Sequence, residues 1–301
     1  MTSTTRRSAA LVLVAFPLAA CGGAAAATTG SITPATTTSG APALTALPLG
    51  DGKVSTSPRA GYVYACQTTF GGGGANGATP WITGSSWDLT AKPVVAGSVT
   101  WPNARITISR QDTSRVVSAN NLPLHPTGTF PIRVSDPAFK YDANPNAIAE
   151  QTILLTLPAT PAAAASPSCV GQGMIGFTLS GAALYNALDA GGRDAAAHEI
   201  QDACGGHPQM AGQYHYHSFS NCFTDAAGAA GGHSDLLGYA LDGYGVYGEH
   251  GEGGALLANA DLDACHGHTH AIVWDGQSVV MYHYHMTREY PYSVGCYHGV
   301  R

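Results

Sequence analysis

From about Gly61 onward, apolar residues recur in short runs and period-two alternations, broken by turn residues every few positions. This pattern predicts strands and loops, because successive strand side chains point to opposite faces. Strands are expected over 99–101, 105–108 and 151–157. Gly71 to Gly74 and the proline-containing segments read as loops. Residues 158–167 read as an Ala/Pro connector between a β-rich part, 59–160, and a histidine-rich part, 168–301. One helix is expected over 193–203, where alanine favours it and Gly205-Gly206 would stop it. His198 and Asp202 would then lie four apart on one helix face, a ligand pair or a plain surface contact.

The sharpest local signal is a hairpin. The run from Ala271 to Val280 carries Asp275-Gly276 between apolar residues, a strong two-residue turn signature. With that turn, opposed positions sum to 551: His268 faces His283, His266 faces His285 and His270 faces Met281. Opposed residues of an antiparallel pair share a face. Five imidazoles and a thioether would therefore line one face, continued toward the turn by Ile272, Trp274 and Val279. A one-residue slip would send the two sets of histidines to opposite faces.

Thirteen histidines occur, and all but His125 lie after residue 190. Tyr214-His215-Tyr216-His217 and Tyr282-His283-Tyr284-His285 repeat one tetrapeptide. On a strand each pair of histidines points one way and each pair of tyrosines the other. Neutral imidazole is the commonest ligand for zinc, copper, nickel and iron. The candidate ligands are His207, His215, His217, His266, His268, His270, His283 and His285. The expectation is one centre for copper or zinc, its wall on the hairpin and His215 and His217 approaching from the other tetrapeptide. The bland alternative is a set of buried His–Tyr hydrogen bonds holding loops together. Glu199, Asp242 and Asp263 are candidate general bases, but no spacing singles one out.

Composition narrows the class. Gly and Pro number 38 and 18, which disfavours long helices. The expected fold is mainly β with large loop content and one or two short helices. It would be a disulfide-stapled single globular domain with room for two β-rich sub-regions. Basic residues number 13 against 19 acidic ones, with only three lysines and no basic stripe, which argues against nucleic acid.

Residues 1–20 have the form of a lipoprotein signal peptide: Arg6 and Arg7, an apolar run too short to span a bilayer, then Leu18-Ala19-Ala20-Cys21. Cys21 is the expected lipidation site and membrane anchor, and residues 21–58 the expected flexible tether. The globular domain would fill 59–301. Setting Cys21 aside leaves Cys66, Cys169, Cys204, Cys222, Cys265 and Cys296, an even number that suggests three disulfides in an exported protein. Their pairing stays open. No C-x-x-C pair occurs to suggest a thiolate zinc site.

Several long segments resemble the YHYH domain family, named for its tetrapeptide. They include Cys204-Gly205-Gly206-His207-Pro208 with Gly212-Gln213-Tyr214-His215-Tyr216-His217, and the stretch from Gly238 to Gly248. Leu262 to His270 and Tyr282 to His285 with Tyr290 to Cys296 continue the likeness. The resemblance covers most of the chain after about residue 120. It implies a secreted or envelope setting and transfers no activity.

Three functions are consistent with these features. The first is a lipid-anchored cell-envelope protein, facing periplasm or exterior, that binds copper or zinc. The second is a metal-dependent envelope enzyme, an oxidase or hydrolase. It lacks the four His-x-His pairs and cysteine ligand of multicopper oxidases and the ligand spacing of cell-wall zinc peptidases. The third is an adhesion or scaffold module without metal.

Overall fold

The computed structural model describes residues 40–301. The signal peptide, Cys21 and the first half of the expected tether lie outside the described residues. An eight-stranded sheet organises the histidine-rich part, and its strands are numbered here β1 to β8. They are β1 Met174–Thr178, β2 Ala183–Tyr185, β3 Gly206–Pro208 and β4 Tyr214–Tyr216, then β5 Leu236–Ala240, β6 Gly245–Tyr247, β7 Gly267–Trp274 and β8 Gln277–His285. Their spatial order is β3-β4-β2-β1-β5-β6-β8-β7.

That order reads as two copies of one four-stranded unit placed back to back. In each unit the first two strands pair antiparallel, the second and fourth pair parallel, and the third and fourth pair antiparallel. The units meet where β1 pairs with β5: Gly176↔Ala240, Phe177↔Tyr239 and Thr178↔Gly238. Gly176-Phe177-Thr178-Leu179-Ser180-Gly181 matches Gly238-Tyr239-Ala240-Leu241-Asp242-Gly243 position for position. A pseudo-two-fold axis therefore passes between Phe177 and Tyr239.

Each unit is pinned by an aspartate, buried in the first unit (Asp202) and exposed in the second (Asp263). Asp202 Oδ1 accepts from the backbone of Cys204 at 2.9 Å and of Gly206 at 3.2 Å, and from Tyr214 Oη at 3.0 Å. Asp263 Oδ1 accepts from Cys265 at 2.8 Å, Gly267 at 3.1 Å and Tyr282 Oη at 3.0 Å. The second tyrosine of each tetrapeptide reaches Ser180 in one unit and Asp242 in the other, which are matching positions. Each tetrapeptide thus locks its tyrosines to one side of the sheet and leaves its histidines on the other. Asp202 also accepts from Gly128 N at 2.9 Å. Asp202→Ala would strand four donors in a buried loop. The expected cost is on the order of 3–5 kcal/mol in urea unfolding. A loss under about 1 kcal/mol would show that the carboxylate is not an anchor.

The sheet packs on both faces. The meander Ile106–Gln111, Ser114–Ala119 and Ile153–Pro158 lays Val117, Ile153 and Leu157 against Phe177, Tyr239, Ile272 and Trp274. On the other face the tetrapeptide tyrosines join Ile175, Leu184 and Val246 in the larger core. Three disulfides staple the fold, Cys66–Cys169, Cys204–Cys222 and Cys265–Cys296. The latter two occupy matching places in the two units, since Cys204 and Cys265 each follow the pinning aspartate by two residues. The described residues, 40–301, lie within one compact unit. Among the described residues no helix is long and apolar enough to cross a membrane.

Four expectations are corrected. The expected tether overlaps ordered chain: Leu47–Pro48 and Val54–Ser55 are strands, Leu47 is buried, and Gly50 N donates to Asp194 Oδ2 at 2.8 Å. Leu47 in the larger core, with Leu49 and Val54 packed against it, docks this segment. The expected connector contains a strand, Ala163–Ser168, paired with Tyr297–Gly299. Strand 99–101 reduces to a single bridge, Val99↔Thr127. The helix is only α1, Ala195–His198. Beyond it Ile200 N turns to Asp142 Oδ2 instead of continuing the helical ladder. His198 therefore meets Asp51, not Asp202. Glu199 leaves α1 in extended conformation, with ψ 151°, and its side chain swings under the histidines.

Two candidate metal centres

The hairpin β7–β8 has the register expected from Asp275-Gly276, with every pair from Gly267↔Tyr284 to Trp274↔Gln277. Asp275 and Gly276 carry φ of 49° and 77°, the left-handed conformation such a turn requires. His268 faces His283, and His270 faces Met281.

The expected single centre divides into two. The ligand atoms of His207, His215 and His217 converge in one group, and those of His233, His268, His270, His283 and His285 in another. Within each group they lie within 4.8 Å of one another. The two tetrapeptides cannot meet, because β2, β1, β5 and β6 stand between β4 and β8. Backbone pairing makes the centres equivalent: His207↔His215 matches His268↔His283, and His217 matches His285. A third group, His125 with Cys204 and Cys222, is no thiolate site because the two sulfurs are bonded to each other.

His266 leaves the cluster. It has φ of 71° where the first unit has Gly205 at 74°, and it sits just beyond the ladder. Its Nε2 contacts Thr287 Oγ1 at 2.9 Å. Thr287 Oγ1 donates to Glu289 O, so His266 donates to the threonine. It is a structural residue, and burial pushes its pKa down to about 3. His233 takes the place expected for it.

Hydrogen-bond roles settle the protonation of the rings. His215 Nδ1 meets Gln213 O at 3.1 Å and His217 Nδ1 meets Asn186 O at 2.5 Å. A carbonyl only accepts, so each Nδ1 carries the hydrogen. Burial pushes the His215 pKa well down and that of His217 to about 4, so both rings are neutral. Each Nε2 is then a bare lone pair, and the two stand 3.1 Å apart. The second unit repeats the arrangement. Nδ1 of His233, His270, His283 and His285 faces the carbonyls of Ser234, Ala271, Met281 and Gly248. His233 Nε2 and His283 Nε2 stand 3.3 Å apart. Burial lowers the pKa of His233, of His268 to about 4, of His283 to about 3, and of His285 well below the ordinary range.

Nε2 of His207, His268, His270 and His285 is buried with no hydrogen-bond partner. Opposed lone pairs repel, and unpartnered buried acceptors are costly. A cation among them removes both penalties. For a bond of about 2.0–2.1 Å, tetrahedral ligands stand about 3.3 Å apart. The observed spacings match. The Nδ1–H to carbonyl contacts are those that commonly orient metal-bound histidines.

Glu199 is the further member of the first centre. Its Oε2 lies 3.4 Å from His207 Nε2 and 3.5 Å from His217 Nε2, in buried space without a hydrogen bond. Burial raises its pKa to about 8. A model of the YHYH protein family matches residues 154–260 of the chain. The chain carries a YHYH domain. The match takes in all three histidines of the first centre and ends before Gly267, short of the hairpin that carries most of the second. The segments likened to the family from Leu262 onward therefore lie outside it. No curated protein and no solved structure matches the chain.

The hairpin histidines were legible from spacing, whereas His233 was not. It sits in a Gly-rich loop before β5, with no periodicity to mark it. A signal for the duplication was present: Asp202-Ala203-Cys204-Gly205-Gly206-His207 against Asp263-Ala264-Cys265-His266-Gly267-His268.

Proposed function

We propose that this protein is an exported cell-envelope protein that binds copper or zinc at two centres, one in each unit, and is held to the membrane through Cys21. The observation that carries the metal reading is the pair of facing Nε2 lone pairs, 3.1 Å apart in one centre and 3.3 Å in the other. A scaffold without metal gives no reason to build that repulsion twice. The donor set is imidazole, with the six described cysteines bound in disulfides, which suits zinc or copper rather than a thiolate-loving site. The disulfides also favour an oxidising compartment, in keeping with export.

Elemental analysis of untagged, disulfide-intact protein after equilibration with zinc or copper tests the reading. Two equivalents per chain are expected to survive dialysis, one per centre. Binding of neither metal at micromolar concentration would make both clusters purely structural. The anchor is tested separately by mass spectrometry of the native N-terminus, where Cys21 should carry the acyl mass and Cys21→Ala should release the protein from membranes.

A further inference from the structure

The two centres share three histidines each but differ in what surrounds them. In the second, His233 and His270 add two more imidazoles, so five nitrogens surround one position. A four-coordinate ion there has no need of water. In the first, the place of His270 on β7 falls to Gln209, since Gln209 N pairs back to Gln213 as β3 meets β4. Among the described residues its added group is Glu199. Counting back three residues from the matching aspartates, Glu199 corresponds to Ala260, so the carboxylate belongs to one unit alone.

A cavity of about 640 Å³ opens on this first centre. His207, His215, His217 and Glu199 all line it, together with Asn144, Asn146, Gln172 and Tyr185. Three ligands leave a tetrahedral ion one position for water, the arrangement of catalytic sites, whereas closed sites use four protein ligands. Glu199 Oε2 is aimed at that region from the side of His207 and His217, and it has no hydrogen bond to satisfy it. It does not belong to the group of converging ligand atoms.

We propose that the first centre is a hydrolytic site, with Glu199 as its general base, acting on a neutral ester or amide, while the second centre only holds metal. This rests on the metal reading above. Glu199 takes a proton from water at the open position. The water oxygen bonds to the acyl carbon. The C–O or C–N bond then breaks, the leaving group keeps the electron pair, and Glu199 returns the proton to it. The charge of the cavity sets the substrate class. Its ionisable carboxyl groups beside Glu199 are Asp142 and Asp189, and no lysine or arginine lines it among the described residues. Arg193, close by, is already bound to Asp189 and to Ala75 O. Beyond the bound ion itself, an anionic substrate meets no unpaired cationic side chain in the lining, and the amide side chains suit an uncharged polar one.

The test uses the full chain loaded with Co(II), whose visible band reports coordination. In a His268→Ala/His283→Ala variant, which lacks the second centre, acetohydroxamate is expected to shift the band. In His215→Ala, which lacks the first, it is expected to leave the band unchanged. Glu199→Gln is expected to keep cobalt at the first centre and the hydroxamate shift, while hydrolysis of 4-nitrophenyl acetate falls at least 100-fold. Loss of cobalt from the first centre in Glu199→Gln would make the carboxylate a ligand and overturn the proposal. Undiminished hydrolysis in that variant would overturn it as well. Bound cobalt that ignores hydroxamate would remove the open position while leaving the metal reading intact. No cobalt at either centre would remove both.

Discussion

His215→Ala is expected to lower the zinc affinity of the first centre by two to three orders of magnitude and to leave the second unchanged. His215 contributes one of three converging nitrogens, and its ring is fixed twice. Nδ1–H is held by Gln213 O, and the ring stacks on Tyr185 with centroids 3.9 Å apart. Even groups that only orient a ligand commonly contribute 10–100-fold to metal affinity, so removal of a ligand itself should exceed that. The second centre is insulated by distance. Five strand spacings separate β4 from β8, or about 24 Å across the sheet. His283→Ala should give the converse pattern, and His268→Ala should behave like it because the two are opposed across the hairpin. His250, outside both groups of converging ligand atoms, should bind metal normally as alanine. Competition against a chromophoric chelator resolves the two affinities. A variant that weakens both centres equally would mean that the substitution acts through the fold, not through ligation.

The division into two centres marks the boundary of what local sequence patterns can tell. Register inside the hairpin follows from one turn and from period-two alternation, so His268, His270 and His283 were placed from the sequence alone. His266 was lost because one residue at the end of the ladder has positive φ, and alternation holds only while the backbone stays extended. The relation between the tetrapeptides depends on strand order, a non-local property. Each tetrapeptide pairs parallel to a short strand far away in sequence, Ala183–Tyr185 for one and Gly245–Tyr247 for the other. Three-residue strands with small residues leave almost no periodic trace. The mainly β, disulfide-stapled character was readable because glycine, proline and cysteine contents are global properties. The helix was overread for a similar reason. Alanine there serves close packing, since Ala195, Ala196 and Ala197 are all buried, and it does not reflect a long helix.

Acid should unfold the metal-free protein unusually early, and metal should protect it. His207, His215, His217, His266, His283 and His285 are all buried, and burial lowers the pKa of each. In the unfolded chain each returns to about 6.5. Below that pH the unfolded state binds more protons than the folded state, so stability falls as pH falls. Each such histidine costs up to about 1.4 kcal/mol per pH unit below 6.5. Six together approach about 8 kcal/mol per unit, offset in part by the buried carboxyls of Glu199 and Asp194, whose pKa values of about 8 and 6 make the folded state bind protons in this range, against a net stability of about 5–15 kcal/mol for an ordinary domain. About one to three units below 6.5 should therefore suffice. Circular dichroism of chelator-treated protein is expected to show cooperative unfolding within about three units below pH 6.5. Zinc-loaded protein should persist lower, because each bound ion must first be displaced by protons on rings that the folded protein holds neutral down to about pH 4 at His217 and His268. Raising the pH above 6.5 should draw no further stability from these histidines, since the rings are then neutral in both states. Metal-free protein that stays folded more than about three units below pH 6.5 would mean that the two histidine clusters accept protons without loss of structure. The lone pairs would then not be held bare, and the basis for two metal centres would fail with them.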